Sequence, residues 1–383
     1  MSLGNDLPTA TATDVEGDIA ALSAAIDDVF DVHSIRRLRE GLQVGAGVRS
    51  RGTTIEFLGR LRLPSDRAYH LIAERFRARG YLALLRDSLE GDLAIAVPGE
   101  APNSRSRWWL ALGLFLATLL SVLLAGSTPR PHSSMVATLF SGWPFAVSLL
   151  SILLAHEFGH YIMSRRLGIP ASLPYFIPMP LSFLGTMGAV IQMKAPPHDR
   201  RALVAIAAAG PLAGLALALP LLVLGLKLST VEIVPLGGPY IQEGNSLLYA
   251  GLKILIFGRF LPANGLDVFL HPVALAGWTG LLVTALNLIP AGQLDGGHLA
   301  YALLGQRARW LTWIVVAVLV GLSFLWNGWI IWAGLVFFLG RVHAVPMDDI
   351  TRLRGHEKML VVLLFVILAL VFTPIPIDFR SLW

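Results

Sequence analysis

The strongest constraint on this chain is a succession of long apolar blocks separated by short basic connectors. A helix needs roughly 20 apolar residues to cross the hydrocarbon core of a bilayer. Residues 108–126, 143–163, 202–226, 272–289 and 310–325 reach or approach that length. Residues 329–339 are fewer, but they form a helical hairpin with the preceding block across Asn327-Gly328, and residues 359–372 close the set. Seven spans are expected, and a composition of 55% apolar against 14% charged residues is hard to reconcile with a soluble domain. Basic residues near span ends test the number of crossings, because they gather on the untranslocated side. With the amino terminus inside, the inner connectors hold Arg105, Arg107, Arg165, Arg166, Lys194, Arg200, Arg201, Arg307, Arg309, Arg341, Arg352, Arg354 and Lys358. The outer ones hold Arg130, Lys227, Lys253, Arg259 and Arg380. The bias supports seven spans, a cytoplasmic amino terminus and a carboxyl terminus outside; a bacterial inner membrane is the expected location, and a plastid membrane with its stroma as the inner face is the alternative. Residues 245–257 are apolar but too short to cross, and read as an interfacial helix on the outer face.

The first hundred residues read as ordinary soluble protein. Residues 14–30 suggest an amphipathic helix, and residues 54–63 alternate as a strand with Ile55, Phe57, Leu61 and Leu63 on one face. Ser65 is expected to cap a helix that stops at Gly80, followed by strands at 81–85 and 93–97 around the turn Glu90-Gly91-Asp92. The expected division is a 1–100 α+β domain, regulatory or substrate-presenting, and a 101–383 transmembrane domain. The fold class is an all-α polytopic membrane protein with a small N-terminal α+β soluble domain. The net charge of +5 does not imply nucleic acid, since the Lys and Arg lie at the edges of apolar blocks. No cysteine is present, so disulfides and thiolate metal ligands are excluded. Residues 1–12 lack the basic start and apolar core of a signal peptide, and no transit peptide is evident.

Chemistry is concentrated in the second block, in the run His156-Glu157-Phe158-Gly159-His160. On a helix the two histidines stand about 40° apart and one turn along the axis, so both imidazoles can reach one ion. Glu157 falls beside them, placed to bond the metal's water rather than the metal. It is the one glutamate inside the expected spans, and an ionisable group at that depth calls for a partner or a cation. A catalytic zinc usually has three protein ligands. Asp295, in Asn287-Leu288-Ile289-Pro290-Ala291-Gly292-Gln293-Leu294-Asp295-Gly296-Gly297-His298, fits best as the third. Pro290, Gly292, Gly296 and Gly297 would interrupt the helix there, and irregular backbone at membrane depth is tolerated against protein or a water-filled cavity. His298, three residues beyond Asp295, is a rival ligand. The remaining histidines, His33, His70, His132, His198, His271, His343 and His356, fall in soluble or connector segments, where solvated or capping roles are expected.

The two motifs together resemble the site-2 protease family of intramembrane metalloproteases. Gly185-Thr186-Met187-Gly188-Ala189, Ala209-Gly210-Pro211-Leu212-Ala213-Gly214 and Ala276-Gly277-Trp278 are similar to the subgroup of chloroplasts and bacteria named for ethylene-dependent gravitropism deficiency and yellow-green leaves. The resemblance covers about residues 143–305. It implies His156, His160 and Asp295 as zinc ligands, Glu157 as general base, and Asn287 as a polar group near the scissile carbonyl. Two positions depart from common family patterns: Gly214 stands where many members have Asn, and His298 where many have Arg.

The expected activity is hydrolysis of peptide bonds in or near transmembrane segments, the zinc lowering the pKa of its water and Glu157 taking the proton. The expected partners are a transmembrane protein substrate and the lipid bilayer. A helical substrate must be unwound first, and the strand-like run 186–193, after a proline-punctuated stretch from Gly168, is expected to offer an edge strand or re-entrant segment for it. Competing readings are a catalytically idle scaffold or chaperone of the same fold and a metal transporter. Intact Glu157 disfavours the first. Confinement of the polar ligands to two segments, with no visible repeat, disfavours the second.

Overall fold

The computed structural model describes residues 12–38, 43–44, 48–49, 53–99, 107–128, 134–234, 239–340 and 344–381. Residues 1–11 and the connector residues Arg105, Arg130, His132, Arg341 and His343 lie outside that set. The chain divides into two compact units. The first comprises Met1–Ser104, Lys194–Ala202 and Ala344–Leu353; the second comprises Arg105–Met193, Leu203–His343 and Arg354–Trp383.

In the first unit α1 (Ala12–Ile26), β1 (Phe30–Leu38), the short pair β2 (Gln43–Val44) and β3 (Val48–Arg49), β4 (Thr54–Leu61), α2 (Ser65–Arg77), β5 (Tyr81–Ser88) and β6 (Gly91–Pro98) follow one another. An antiparallel sheet of order β1-β4-β6-β5 packs with the helices around Leu22, Ile26, Phe57, Ile72 and Phe76, all fully buried. Three local expectations change. The first helix stops at Ile26, whose carbonyl accepts from the Val29 N–H, and Phe30 opens a strand. That strand is an edge with exposed Arg36 and Arg37, so it lacks the apolar alternation that would have disclosed it. β4 ends at Leu61, leaving Leu63 exposed. Ser65 does not cap α2: Pro64 holds the N-cap position, and the Ser65 hydroxyl shares a 2.7 Å hydrogen bond with that of Thr351.

That contact belongs to a wider arrangement. The Leu85 N–H donates to the Met347 carbonyl at 2.9 Å and the Asp349 N–H to the Leu85 carbonyl at 3.1 Å. The N–H groups of Met347 and Asp348 donate to the carbonyls of Pro197 and His198 at 2.8 and 2.7 Å. Two connector segments thus extend the sheet beyond β5. Burial raises the Asp348 carboxyl pKa, although its Oδ1 accepts from the N–H groups of Ile350 and Thr351. Arg200 pairs with Asp349 at 2.9 Å.

The second unit contains α3 (Trp108–Ala125), α4 (Met135–Ser141), α5 (Trp143–Arg166), β7 (Tyr175–Pro178), β8 (Thr186–Val190) and α6 (Arg200–Lys227), the first residues of which fall in the first unit. β9 (Thr230–Ile233), β10 (Pro239–Glu243), α7 (Leu247–Phe257), β11 (Leu266–Phe269) and α8 (Pro272–Leu288) come next. α9 (Asp295–Leu304), α10 (Ala308–Leu322), α11 (Gly328–Leu339), α12 (Gly355–Val371) and β12 (Ile377–Ser381) complete it. By length and composition, four helices can cross a membrane among the described residues: α3, α5, α6 and the continuous run Asp295–Leu322. The expected spans at 272–289, 329–339 and 359–372 fall on the shorter helices α8, α11 and α12. The apolar segment at 245–257 forms α7, capped by the Ser246 side chain.

The strands of this unit pair as β7-β8, β9-β11 and β10-β12, each antiparallel. The connector strands β9 to β12 were not expected, because each is four or five residues long and bounded by mixed polar sequence. The β7-β8 hairpin lies against α3, where the Ser121 hydroxyl donates to the Gly185 carbonyl at 2.5 Å. Helices α5, α6 and α8 meet through small residues, because a Cβ on Gly159 would strike the Ala209 carbonyl and one on Gly277 would strike Leu222. Close backbone approach of this kind is how apolar helices pack without a hydrophobic drive between them.

Candidate metal centre

α5 runs for 24 residues without a break, and its apolar stretch carries His156, Glu157 and His160 as buried polar side chains. The imidazoles turn the same way, as their spacing requires, with their Nε2 atoms 3.2 Å apart. The antiparallel α6 makes room for them. Gly214 faces the His156 ring and Gly210 the His160 ring, one turn apart on each helix. A Cβ on Gly214 would sit 3.3 Å from His156 Nδ1, whereas one on Gly210 would overlap the His160 ring. Gly210→Ala is therefore expected to displace that ring and weaken metal binding about 10–100-fold, the range seen when a group orienting a ligand is lost. Titration against a competing chelator checks this, and unchanged affinity would contradict it.

The His160 ring is also fixed from behind. Its Nδ1 lies 2.8 Å from the carbonyl of Ile206, so Nδ1 carries the hydrogen and Nε2 presents its lone pair to the cavity. Asp295 reaches the same point from the other motif. α8 ends at Leu288 and α9 begins at Asp295, with the irregular segment between them expected from Pro290 and Gly292. Gly296 and Gly297 let the first turn of α9 fold against the carbonyls of Leu288 and Ala291, where a Cβ would collide. The carboxylate stands at the start of α9, where the helix dipole favours negative charge. Its Oδ2 is 3.3 Å from Nε2 of His156 and 3.3 Å from Nε2 of His160.

These three atoms form a triangle of sides 3.2, 3.3 and 3.3 Å. An ion bound tetrahedrally at about 2.0–2.1 Å holds its ligand atoms about 3.3–3.4 Å apart, so the donor set fits zinc in both chemistry and spacing. It is the group of three metal-capable side chains found among the described residues. His298 lines the same cavity without joining that group. Asn287 places Nδ2 at 3.2 Å from Nε2 of His156, at the edge of the triangle. The cavity has a volume of about 210 Å³, and Ala189, Val190 and Ile191 at the end of β8 form one wall. Glu157 lines the same cavity beside them. Gln293, for which the sequence carries no motif of its own, also lines it. Its signal was position alone, two residues before Asp295.

Residues 144–326 match the profile of peptidase family M50. Among curated proteins, the probable zinc metalloprotease EGY2, chloroplastic, of Oryza sativa subsp. indica is 31% identical over 343 residues, covering 85% of this chain and 62% of the relative. The protein of the same name from Arabidopsis thaliana is 31% identical over 342 residues, covering 85% and 61%. The probable zinc metalloprotease EGY1, chloroplastic, of Arabidopsis thaliana is 33% identical over 238 residues, covering 61% and 43%. The chain thus spans about three fifths of the length of the first two relatives. Both the His156-to-His160 motif and Asp295 lie inside the matched segment, so the part of the chain that resembles peptidase family M50, the family of the site-2 proteases, is the part that carries the three donors.

Proposed function

We propose that this protein is an intramembrane zinc endopeptidase that hydrolyses peptide bonds in or near transmembrane segments of membrane proteins. The observation that carries the reading is the triangle of His156, His160 and Asp295 with Glu157 beside it, on a helix apolar enough to cross a bilayer. His156, His160 and Asp295 hold the zinc. Zinc held there supplies a Lewis acid that polarises the scissile carbonyl and makes water acidic enough to deprotonate near neutral pH. Glu157 takes the proton of the attacking water and passes it to the departing amine. Asn287 donates its amide to the developing oxyanion or the substrate backbone. The Ile206 carbonyl keeps the His160 ring in the tautomer that ligation needs.

The substrate's own helix hides its peptide bonds, so it must be unwound before attack. Among the described residues β8 pairs with β7 along one edge only, and its far end lines the cavity of the candidate metal centre. In this reading the unpaired edge of β8 binds the unwound substrate as an added strand. Ala189→Pro is expected to cut cleavage of a transmembrane substrate at least about tenfold while zinc content stays unchanged. Unimpaired cleavage would remove the pairing step. Seven spans, with the basic connectors and the amino terminus on the cytoplasmic face, complete the proposed topology.

An idle scaffold leaves the buried Glu157 beside the metal donors without a purpose, and a transporter usually spreads its polar ligands over several spans, whereas these three donors come from α5 and α9. Proteoliposomes loaded with zinc and a single-span reporter separate the readings. Cleavage without zinc flux is expected, whereas flux without cleavage would replace the protease reading with transport.

A further inference from the structure

A second cavity, of about 260 Å³, lies at the opposite end of α8 from the metal centre. Its walls include Phe183 from the β7-β8 turn, Tyr240 from β10, Phe269 from β11 and Trp278 from α8. Two carboxylates, Glu243 and Asp267, face it among these rings. They are not equivalent. Glu243 is neutralised by the fully buried Lys253 at 3.4 Å and accepts from the Tyr249 hydroxyl at 2.8 Å. Asp267 is 6% exposed and is held by neutral donors, Gln242 Nε2 at 2.6 Å and the Val268 N–H at 2.8 Å, with no ion pair among the described side chains. A carboxylate withdrawn from water is costly unless a cation meets it. An aromatic wall around such a carboxylate favours a cation further, through the negative faces of the rings.

The cavity is also joined to the catalytic machinery by two elements. Trp278 and Asn287 are nine residues apart on α8, about 14 Å along its axis. Phe183 and Ala189 sit at the tip and the far end of the β7-β8 hairpin, the first lining this cavity and the second the metal cavity. A substrate lying extended along β8 advances about 3.3 Å per residue, so it covers that distance in about four or five residues.

We infer that this cavity is a specificity subsite for a basic side chain of the substrate, Lys or Arg, four or five residues from the scissile bond, with Asp267 meeting its charge between Phe183, Tyr240 and Phe269. The inference rests on the proposed protease reading and adds a substrate class to it: membrane segments flanked by a basic residue at that distance. Lys and Arg flank apolar spans mainly on the inner side, so a basic residue on the outer side, where residues 230–269 lie in the proposed topology, marks a restricted class of segments.

The test uses the full-length protein in proteoliposomes with single-span reporters that differ in one residue, Lys or Gln, moved from three to seven positions on either side of the mapped cleavage site. The wild-type protein should cleave the best-placed Lys reporter about tenfold faster, in kcat/KM, than its Gln counterpart, with the preference confined to one or two positions. Asp267→Asn should bring that ratio to about one. If the variant fails to fold, a Glu reporter at the same position tests the charge with the wild-type protein alone, and it should be cleaved more slowly than the Gln reporter. Equal cleavage of Lys, Gln and Glu reporters at every position would overturn the subsite and leave the protease reading standing. Absence of any reporter cleavage would instead strike the protease reading.

Discussion

Replacing Glu157 with glutamine should lower peptide-bond cleavage about 10²–10⁴-fold, the usual share of a positioned general base, while leaving zinc content unchanged. Glutamine keeps the size and hydrogen-bonding reach of the side chain and loses only the capacity to take a proton. The effect belongs in kcat rather than KM, because the proton moves in the transition state and not on binding. Glu157 is buried beside the metal donors and lines the same cavity as the end of β8, so a substrate lying on that strand would bring its carbonyl past this carboxylate. Single-turnover cleavage of a reporter in proteoliposomes, with zinc measured on the same sample, provides the comparison. Cleavage within about threefold of the wild-type protein would end the role given to Glu157.

The second large effect is expected from Asp295→Ala. It removes one of three donors and also the anion that two imidazole nitrogens approach at 3.3 Å, so zinc affinity should fall by more than the 10–100-fold that loss of an outer orienting group costs. Cleavage should fall with it. His298→Ala is the paired control, since His298 lines the cavity without joining the triangle, and its zinc affinity should stay within a few-fold of the wild-type protein. Zinc lost from the His298 variant and kept by the Asp295 variant would exchange their roles.

What could be read from the sequence follows physical lines. The apolar blocks emerge as helices close to their expected bounds, because a span announces itself over some 20 residues and few other structures tolerate so long an apolar run. The histidine pair was legible from spacing alone, since four residues on a helix fix the direction of both rings. Asp295 was legible only through chemistry and the broken backbone around it, and its distances to the imidazoles depend on how Gly296 and Gly297 let the start of α9 tuck under Leu288. Other features lay beyond pattern reading. β1 is an exposed, charged edge whose pairing with β4 is fixed by tertiary contact, not by alternation. The additions of Met347–Asp349 and Pro197–Asp199 to the sheet of the first unit join segments far apart in sequence, for which no local signal exists. Gly210 and Gly214 read as small residues of a membrane helix. Only their position opposite the two imidazoles makes them part of the candidate metal centre.

The proposed function is cleavage of a peptide bond within or at the edge of a membrane span by zinc held by His156, His160 and Asp295. Its most direct test is mass-spectrometric mapping of the products from a single-span substrate in proteoliposomes, before and after zinc is removed by a chelator and restored. One principal cut inside or bordering the apolar segment is expected, lost on chelation and recovered with zinc. Cuts confined to the soluble flanks, or cleavage indifferent to chelation in protein shown to be zinc-free, would contradict it.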